Sequence, residues 1–385
     1  MSEARVNNLS NESNTGGPTI SGITTFSGTN FFVPPVGNTA QRPENPQKGA
    51  IRFNTDTKHL EYYRGDTIGW VEVEASHGQL GGGTGSNTGR GARMLYGGSV
   101  PGYTNTVDYI TISTLGNSQD FGDLTVARGA SSACGSSTRA VVFSGYASPG
   151  GSNVIDYATF SSTGNFIDFG DVHTDWKSDA GMVSSSTRGI CGNGQNSDSS
   201  PYYNNTMDYI TIAATGNSVD FGDAASSTAT GRASCSSSTR GIWASHGYDT
   251  KIQSVEMATT GNMVDFGDMN TGTYYHAGAS NSTRGIIVVG YTNVMEYITI
   301  ATRGNATDFG DRLSPATYQQ EAGTDPTRCL IAGGRYNSGG YIESNVIQYV
   351  TIATTGNSKD FGDLVCKTAN NQEKSTSCTN GHGGL

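Results

Sequence analysis

The chain has 385 residues, of which 54 are glycine and only 34% are hydrophobic. Glycine is therefore about twice as frequent as usual, and the chain is too polar for a thick helical core. A formal net charge of -10 with no Lys/Arg cluster argues against nucleic-acid binding by phosphate neutralisation, and no run of about 18 apolar residues could span a bilayer.

The N-terminal MSEARVNNLSNESNTGG is polar, without the apolar run of a secretory signal, so folding in the cytoplasm is expected. NNLSNESNTGGPTISG has little to bury, and we expect an extended arm that orders only against a partner. Next, GAIRFNTDTKHLEYYRGDTIGWVEVE reads as three short strands with turns at Asn54–Lys58 and Arg64–Asp66. Arg64, Gly65 and Asp66 spell an integrin-type tripeptide, but their place between two strand-like runs makes them a hairpin turn. Residues 1–77 are thus expected to form a small β module for attachment or oligomerisation. The Gly/Ser-rich stretch 78–90 then serves as a linker.

Residues 91–385 are repetitive. Asp-Phe-Gly-Asp begins at Asp120, Asp168, Asp220, Asp265, Asp308 and Asp360, and subtraction gives spacings of 43 to 52 residues. Each copy follows a Gly-Asn pair, at Gly116, Gly164, Gly216, Gly261, Gly304 and Gly356, and each pair follows a run such as VDYITIST. Alternation in that run places Ile110 and Ile112 on one strand face and Tyr109 and Thr111 on the other. A shorter apolar strand precedes it, led by an Arg such as Arg139, Arg188 or Arg284. Its small residues mark it as the expected innermost strand of the unit. A small-residue strand such as ASSACGSS or GRASCSSS completes four per repeat.

Six four-stranded antiparallel units of this length match the blades of a six-bladed β-propeller. The expectation is an all-β fold, with a kelch-like propeller over 91–385. The terminal STSCTN matches the repeat pattern and favours ring closure over a capped solenoid. Cys134, Cys235 and Cys378 fall at equivalent positions as small apolar fillers. With Cys191, Cys329 and Cys366 they form no CxxC pair, and all six are expected reduced and mostly buried.

Two chemistries suggest themselves for Asp-Phe-Gly-Asp. The kinase metal-binding triplet occurs once per enzyme, beside motifs missing here. Asn117, Asp120 and Asp123 offer three oxygens to calcium, but not at EF-hand spacing. The simpler reading is scaffold, in which Phe packs between blades, Gly takes φ above zero and the Asp side chains accept bonds from turn amides. In Ser-Thr-Arg the hydroxyls close a turn and the Arg pairs with an Asp of the neighbouring unit. The fourth repeat departs from the pattern, with Met257 read at the Tyr position and Glu256 at the Asp position.

Variation concentrates between the Arg-led strand and the one after it, in SVPGYTN, YASPGGSN, QNSDSSPYYNN, SHGYDTKIQ, YTN and RYNSGGYIESN. Antiparallel pairing puts all six connections on one face and the Gly-Asn and Ser-Thr-Arg turns on the other. That face carries Tyr103, Tyr146, Tyr202, Tyr203, Tyr248, Tyr291, Tyr336 and Tyr341. Tyr among Ser, Gly and Asn is how binding loops are composed, and it would also stack on sugar rings. Covering loop backbone is the other use of the same residues. His59, His77, His173, His246, His276 and His382 are scattered without HxxxH, and no GxSxG elbow or unique acid pair singles out a catalytic centre, so neither enzyme activity nor a cofactor is expected.

Residues Gly49, Ile51, Arg52, Phe53, Asn54, Thr55, Asp56 and Trp70, with the lead-in PVGNTAQRPENPQKG, resemble a short module of phage tail-fibre and other virion proteins. The repeats DYITIATTGN and DFGDL are similar to those of structural proteins of marine tailed phages, cyanophages among them. This resemblance implies a virion component made in the host cytoplasm. It would be held to other virion proteins by the N-terminal module, with a homo-oligomer, a trimer first, as the expected state. The function it implies is a tail-fibre or adhesin-type role in host attachment, the Tyr-rich face meeting host surface glycan or protein. A capsid decoration or tail-accessory role is the structural alternative. A glycan depolymerase would need carboxylates unique to one or two blades.

Overall fold

A computed structural model describes residues 34–57, 59–67, 69–73, 92–98, 103–173, 176–195, 203–225, 233–244, 248–313, 316–365 and 375–385. The arm to residue 33, the linker at 78–90, Tyr202, His77, His246 and Cys366 lie outside them. The chain divides into two compact units, 1–75 and 76–385. The described residues are all-β apart from one 3-10 turn, Thr39–Gln41.

In the first unit the strands are β1 (Val36–Gly37), β2 (Ile51–Asn54), β3 (His59–Tyr63) and β4 (Trp70–Val73), in that order across one sheet. The three antiparallel strands match expectation. The two-residue β1, parallel to β2, was not legible in sequence. The Arg64–Asp66 segment is a turn: Arg64 N–H donates to the Gly69 carbonyl at 3.0 Å, Gly65 has φ 107°, and the Tyr63 hydroxyl donates to the Asp66 carboxylate.

The second unit holds six four-stranded sheets of one topology. Sheet two is typical. From one edge to the other it runs Ser132–Gly135, Arg139–Phe143, Val154–Thr159 and Ile167–Asp171, all antiparallel. Sheet one takes its edge strand Thr376–Thr379 from the far end of the chain, paired to Arg93–Gly97. The edge strands of sheets three to six are Gly181–Ser184, Ala233–Ser236, Ala277–Ser280 and Glu321–Thr324. Each of the six edge strands neighbours two others, and the strand of sheet one lies beside those of sheets six and two. The small-residue strand is therefore the edge strand that meets its counterparts in the adjacent sheets, and the Arg-led strand, expected to take the innermost place, is second in its sheet. Crowding decides this. Side chains of Ser and Thr fit where the edge strands of adjacent sheets lie side by side, and bulky Ile and Val need the wider space between sheets.

Hydroxyls stitch the edge strands together. Ser184 Oγ donates to the Gly135 carbonyl, Ser236 Oγ to Ser184, Ser280 Oγ to Ser236 and Thr324 Oγ1 to Ser280, at 2.7–3.0 Å. Apolar clusters fill the space between sheets, and each draws on two successive sheets. Met94, Tyr96 and Ile110 of sheet one pack with Leu330, Ile347 and Phe361 of sheet six. The five described cysteines are free and buried.

Asp-Phe-Gly-Asp forms the outer seam. Within each copy the Phe is a bulge with no partner across the ladder, since Asp108 faces Asp120 while Val107 faces Gly122. The bulge turns Phe121 inward to 1% exposure and brings Gly122, at φ 146°, against the next repeat. A Cβ on Gly122 would stand 2.4 Å from the Gly164 carbonyl oxygen, so only glycine fits. Gly164 N–H donates to the Phe121 carbonyl at 2.7 Å, and Gly116 N–H to that of Phe361 at 3.0 Å. The Asp side chains were expected to accept from turn amides. Instead the Asp123 amide donates to Asn165 Oδ1 and the Asp363 amide to Asn117 Oδ1, so Asn is the side-chain acceptor. Asn117 thus faces a neighbouring strand and does not join Asp120 and Asp123 around an ion.

The Arg also differs from expectation. Arg93, Arg139, Arg188, Arg240, Arg284 and Arg328 donate to main-chain carbonyls of the next sheet, at Phe160, Ile212, Met257, Ile300, Ile352 and Ile112, at 2.7–3.1 Å. A carbonyl offers the same acceptor at lower desolvation cost than a carboxylate. Five of the guanidinium groups lie 4.3–5.1 Å from the ring of their own Tyr, as Arg284 does over Tyr297. Sheet four corrects the reading of its repeat. Arg240 pairs with Glu256 and Ile242 with Ser254, so Ser254 occupies the Tyr position and Gln253 the Asp position, while Met257 follows where the others have Ile or Phe. With no Tyr there, Arg240 lies 3.5 Å from Glu256 and over the Phe266 ring.

Candidate aromatic contact site

Two kinds of connection leave each sheet at the same end: the variable loop between the second and third strands, and the crossing from the fourth strand to the next edge strand. Sequence reasoning considered the first kind alone. The structure adds Trp176, Tyr274, Tyr275 and Tyr318 from the second, each two to five residues ahead of a small-residue strand. That position was the available signal.

The aromatic residues form two groups. Tyr103 and Tyr146 lie 5.6 Å apart between centroids, and Tyr146 lies edge-on to Trp176 at 5.6 Å. The second group is larger. Tyr248 meets Tyr274 at 4.9 Å, Tyr274 meets Tyr275 at 6.2 Å, and Tyr275 meets Tyr291 and Tyr318 at 6.4 and 6.1 Å. Tyr291 stacks on Tyr318 at 4.1 Å with planes 16° apart. Arg335 extends the row, 5.0 Å from the Tyr318 ring and 4.4 Å from that of Tyr341. Tyr248 is 77% exposed, Tyr341 69% and Tyr291 49%.

Of the eight expected tyrosines, the structure therefore gathers Tyr103 with Tyr146, and Tyr248, Tyr291 and Tyr341 through partners the sequence did not flag. Tyr336 sits half-buried opposite Ile342 in the hairpin Arg335–Asn337/Tyr341–Glu343, and among the described residues no ring contact ties it to the row. Tyr203 begins a strand opposite Gln195, and its side chain, like all of Tyr202, is outside the described set.

A rigid base supports the larger group. Tyr275 and Tyr291 both have φ 60°, a left-handed conformation costing about 1–3 kcal/mol for a bulky residue unless its surroundings enforce it. The conformation at Tyr275 recurs at Ala130, Asp179 and Gln319, two residues ahead of their edge strands, and buried Arg312 braces the segments around Tyr291 and Tyr318. Its guanidinium donates to Thr317 Oγ1 at 2.5 Å, to the Thr317 carbonyl at 2.9 Å, to the Val289 carbonyl at 3.2 Å and to the Thr292 carbonyl. These residues flank Tyr291 and Tyr318. Burial lowers the Arg312 pKa to about 10, which still leaves it charged at neutral pH. Beneath the other loops the same device recurs as buried pairs, Arg128 with Asp156 at 3.0 Å and Lys177 with Asp208.

Burial, then the nearness of Tyr318 and Tyr275, pushes the Tyr291 hydroxyl up to about 12. It is therefore a neutral donor at any physiological pH. Burial likewise pushes the thiols of Cys191, Cys235, Cys329 and Cys378 up to about 12, so they are not nucleophiles. A cavity of about 110 Å³ between the edge strands is lined by their Ser, Thr, Ala and Cys residues, with Glu321, His276 and His382 in its wall. Among the described residues no group of three His, Cys, Asp or Glu could hold a metal ion. The arrangement offers flat aromatic faces, phenol donors and one guanidinium, which suit stacking and hydrogen bonding.

No protein-family model matches the chain, and no curated protein matches it.

Proposed function

We propose that this is a non-enzymatic contact protein of a tailed-phage particle. In this reading a six-bladed propeller presents its aromatic end to a host-surface glycan or protein, and the N-terminal module attaches it to the virion. The propeller reading is supported by seams of one kind between successive sheets: the Arg-to-carbonyl bond, the Gly-Asn turn against Asp-Phe-Gly-Asp and the shared apolar cluster. All three recur between sheets six and one. The virion reading rests on the resemblance of the N-terminal segment and of the repeats.

A single observation carries the contact function. A row of tyrosines with Tyr248, Tyr291 and Tyr341 exposed is backed by buried Tyr318 and braced by buried Arg312. Exposed Tyr291 stacked on buried Tyr318, with Arg312 bracing both loops, presents an aromatic face in one orientation, as a contact surface requires. Weak single contacts would gain from repetition on a particle.

The test is adsorption of particles carrying Tyr291→Ala together with Tyr341→Ala, with the purified protein melted in parallel. Adsorption at least tenfold slower with a melting curve like that of the parent supports the reading. Normal adsorption would overturn it in favour of a capsid-decoration or tail-accessory role.

A further inference from the structure

All six edge strands contribute to the wall of the 110 Å³ cavity, from Ser132–Gly135 of sheet two round to Thr376–Thr379 of sheet one. One end is crossed by the tail of the chain. His382 Nε2 lies 2.7 Å from the Gly135 carbonyl and 3.1 Å from Ser184 Oγ, and Gly383 N–H donates to the Ser280 carbonyl at 2.7 Å. The other end, where the edge strands begin, lies with the variable loops and the aromatic residues.

At that end three consecutive strands bring polar groups to one wall. His276 immediately precedes Ala277–Ser280, Glu321 opens Glu321–Thr324, and Ser377 is second in Thr376–Thr379. His276 is 5% exposed, and its Nδ1 accepts the Gly290 amide at 3.2 Å, two residues past the second strand Arg284–Val288. Nε2 therefore carries the ring proton and is turned the opposite way, toward the cavity that His276 lines. Among the described residues no hydrogen bond meets it. A buried donor left so costs about 1–3 kcal/mol unless something in the cavity accepts from it. Glu321 meets the Ser377 hydroxyl through Oε2 and faces the same space. We propose that this cavity is a binding site for a small neutral polyol, recognised by His276 and Glu321 at the end nearer the aromatic loops.

Charge and size select that class. Among the described residues no Lys or Arg lines the cavity, so an anion would find no counter-charge. Burial holds Glu321 uncharged at neutral pH, its pKa raised to about 8, and holds His276 neutral, lowered to about 4, so a cation would find none either. Ser132 and Ser234 donate to the carbonyls of Ala180 and Met182, which leaves their own oxygens able to accept. A ligand there meets donors in His276 Nε2–H and the Glu321 carboxyl, and acceptors in the serines. A hydroxyl, which donates and accepts at once, matches both. As for size, a cavity of roughly 150 Å³ takes a six-carbon ring, so about 110 Å³ takes roughly four to six heavy atoms, the size of glycerol. The inference does not depend on what the aromatic row binds.

The experiment is saturation-transfer NMR of glycerol with the full chain, prepared without polyols, below pH 7 where Glu321 holds its proton. The expected result is saturable binding with a dissociation constant of roughly millimolar order, as a ligand of this size allows. His276→Phe, which removes the donor and keeps a ring, should weaken it about tenfold or more, while Glu321→Gln, still a neutral donor and acceptor, should keep it within about threefold. Glu321→Leu removes the other donor and serves where His276→Phe fails to melt like the parent. Glycerol soaked into a crystal of the parent should lie between His276 and Glu321. Absence of saturable binding by the parent would mean that the cavity holds water only. Binding that neither His276→Phe nor Glu321→Leu weakens would put the glycerol elsewhere, and a melting point raised by millimolar calcium chloride with no glycerol signal would make this a cation site. Each of these three outcomes overturns the proposal.

Discussion

At the scale of single residues, Glu321 shows how position in the fold sets chemistry. It opens the edge strand of sheet six and lines the cavity, where its Oε2 accepts the Ser377 hydroxyl at 3.1 Å. Burial raises its pKa from 4.5 to about 8 against the lowering effect of that bond. The folded state therefore holds a proton that the unfolded chain releases above about 4.5, and this group's contribution to stability declines as pH rises from 4.5 to 8. Glu321→Gln keeps the shape and removes the titration. In urea unfolding it should match the parent near pH 4 and exceed it in stability at pH 8. A constant difference across that range would show that the carboxyl does not titrate as described. Nothing in sequence distinguished Glu321 from the other scattered acids, because its shift comes from the closing of other strands around it.

At the scale of elements, the seams between sheets carry the repeat motifs. Gly122 is required twice over, by a φ of 146° and by the neighbouring Gly164 carbonyl. Gly122→Ala should cost about 3 kcal/mol or more, the range for strained backbone combined with a steric clash. Gly340, with ordinary φ and open space around its Cα, is the control, and Gly340→Ala should stay within about 0.5 kcal/mol. Equal effects in thermal melts would contradict the seam geometry. The motif was legible as scaffold, and the Phe and Gly roles came out as read. The Asp role did not, because a motif cannot say whether its carboxylate or its amide meets the neighbour. The strand order within each sheet was also misread, since small residues suit both a close strand pair within a sheet and an edge packed against the edges of adjacent sheets.

At the scale of the whole molecule, the two ends of the repeat unit meet. Thr376–Thr379 completes the sheet begun by Arg93–Gly97, and Asn380 Oδ1 accepts from the Arg93 amide at 2.7 Å. Beyond it His382 Nε2 lies 2.7 Å from the Gly135 carbonyl and Gly383 N–H donates to the Ser280 carbonyl, so the tail reaches sheets two and five. Deleting residues 376–385 strips a paired strand and uncovers the cluster around Leu95. The expected loss is at least about 4 kcal/mol, read as a lower and broader thermal transition. A synthetic peptide of residues 375–385 added in trans should restore part of it by strand addition. An unchanged transition would mean that the terminal strand is not structural.

The sequence by itself determined the all-β class, the six units, their four strands and the turn at Arg64–Asp66, because alternation, glycine placement and repeat spacing are local properties of the chain. Only the tertiary structure decided which strand lies at the edge that meets the adjacent sheets, that Arg finds a carbonyl and not a carboxylate, and that Tyr274, Tyr275 and Tyr318 join Tyr248 and Tyr291. These outcomes depend on contacts between residues far apart in the chain, where crowding, desolvation and the reach of one side chain toward the next unit select among partners that look alike in sequence.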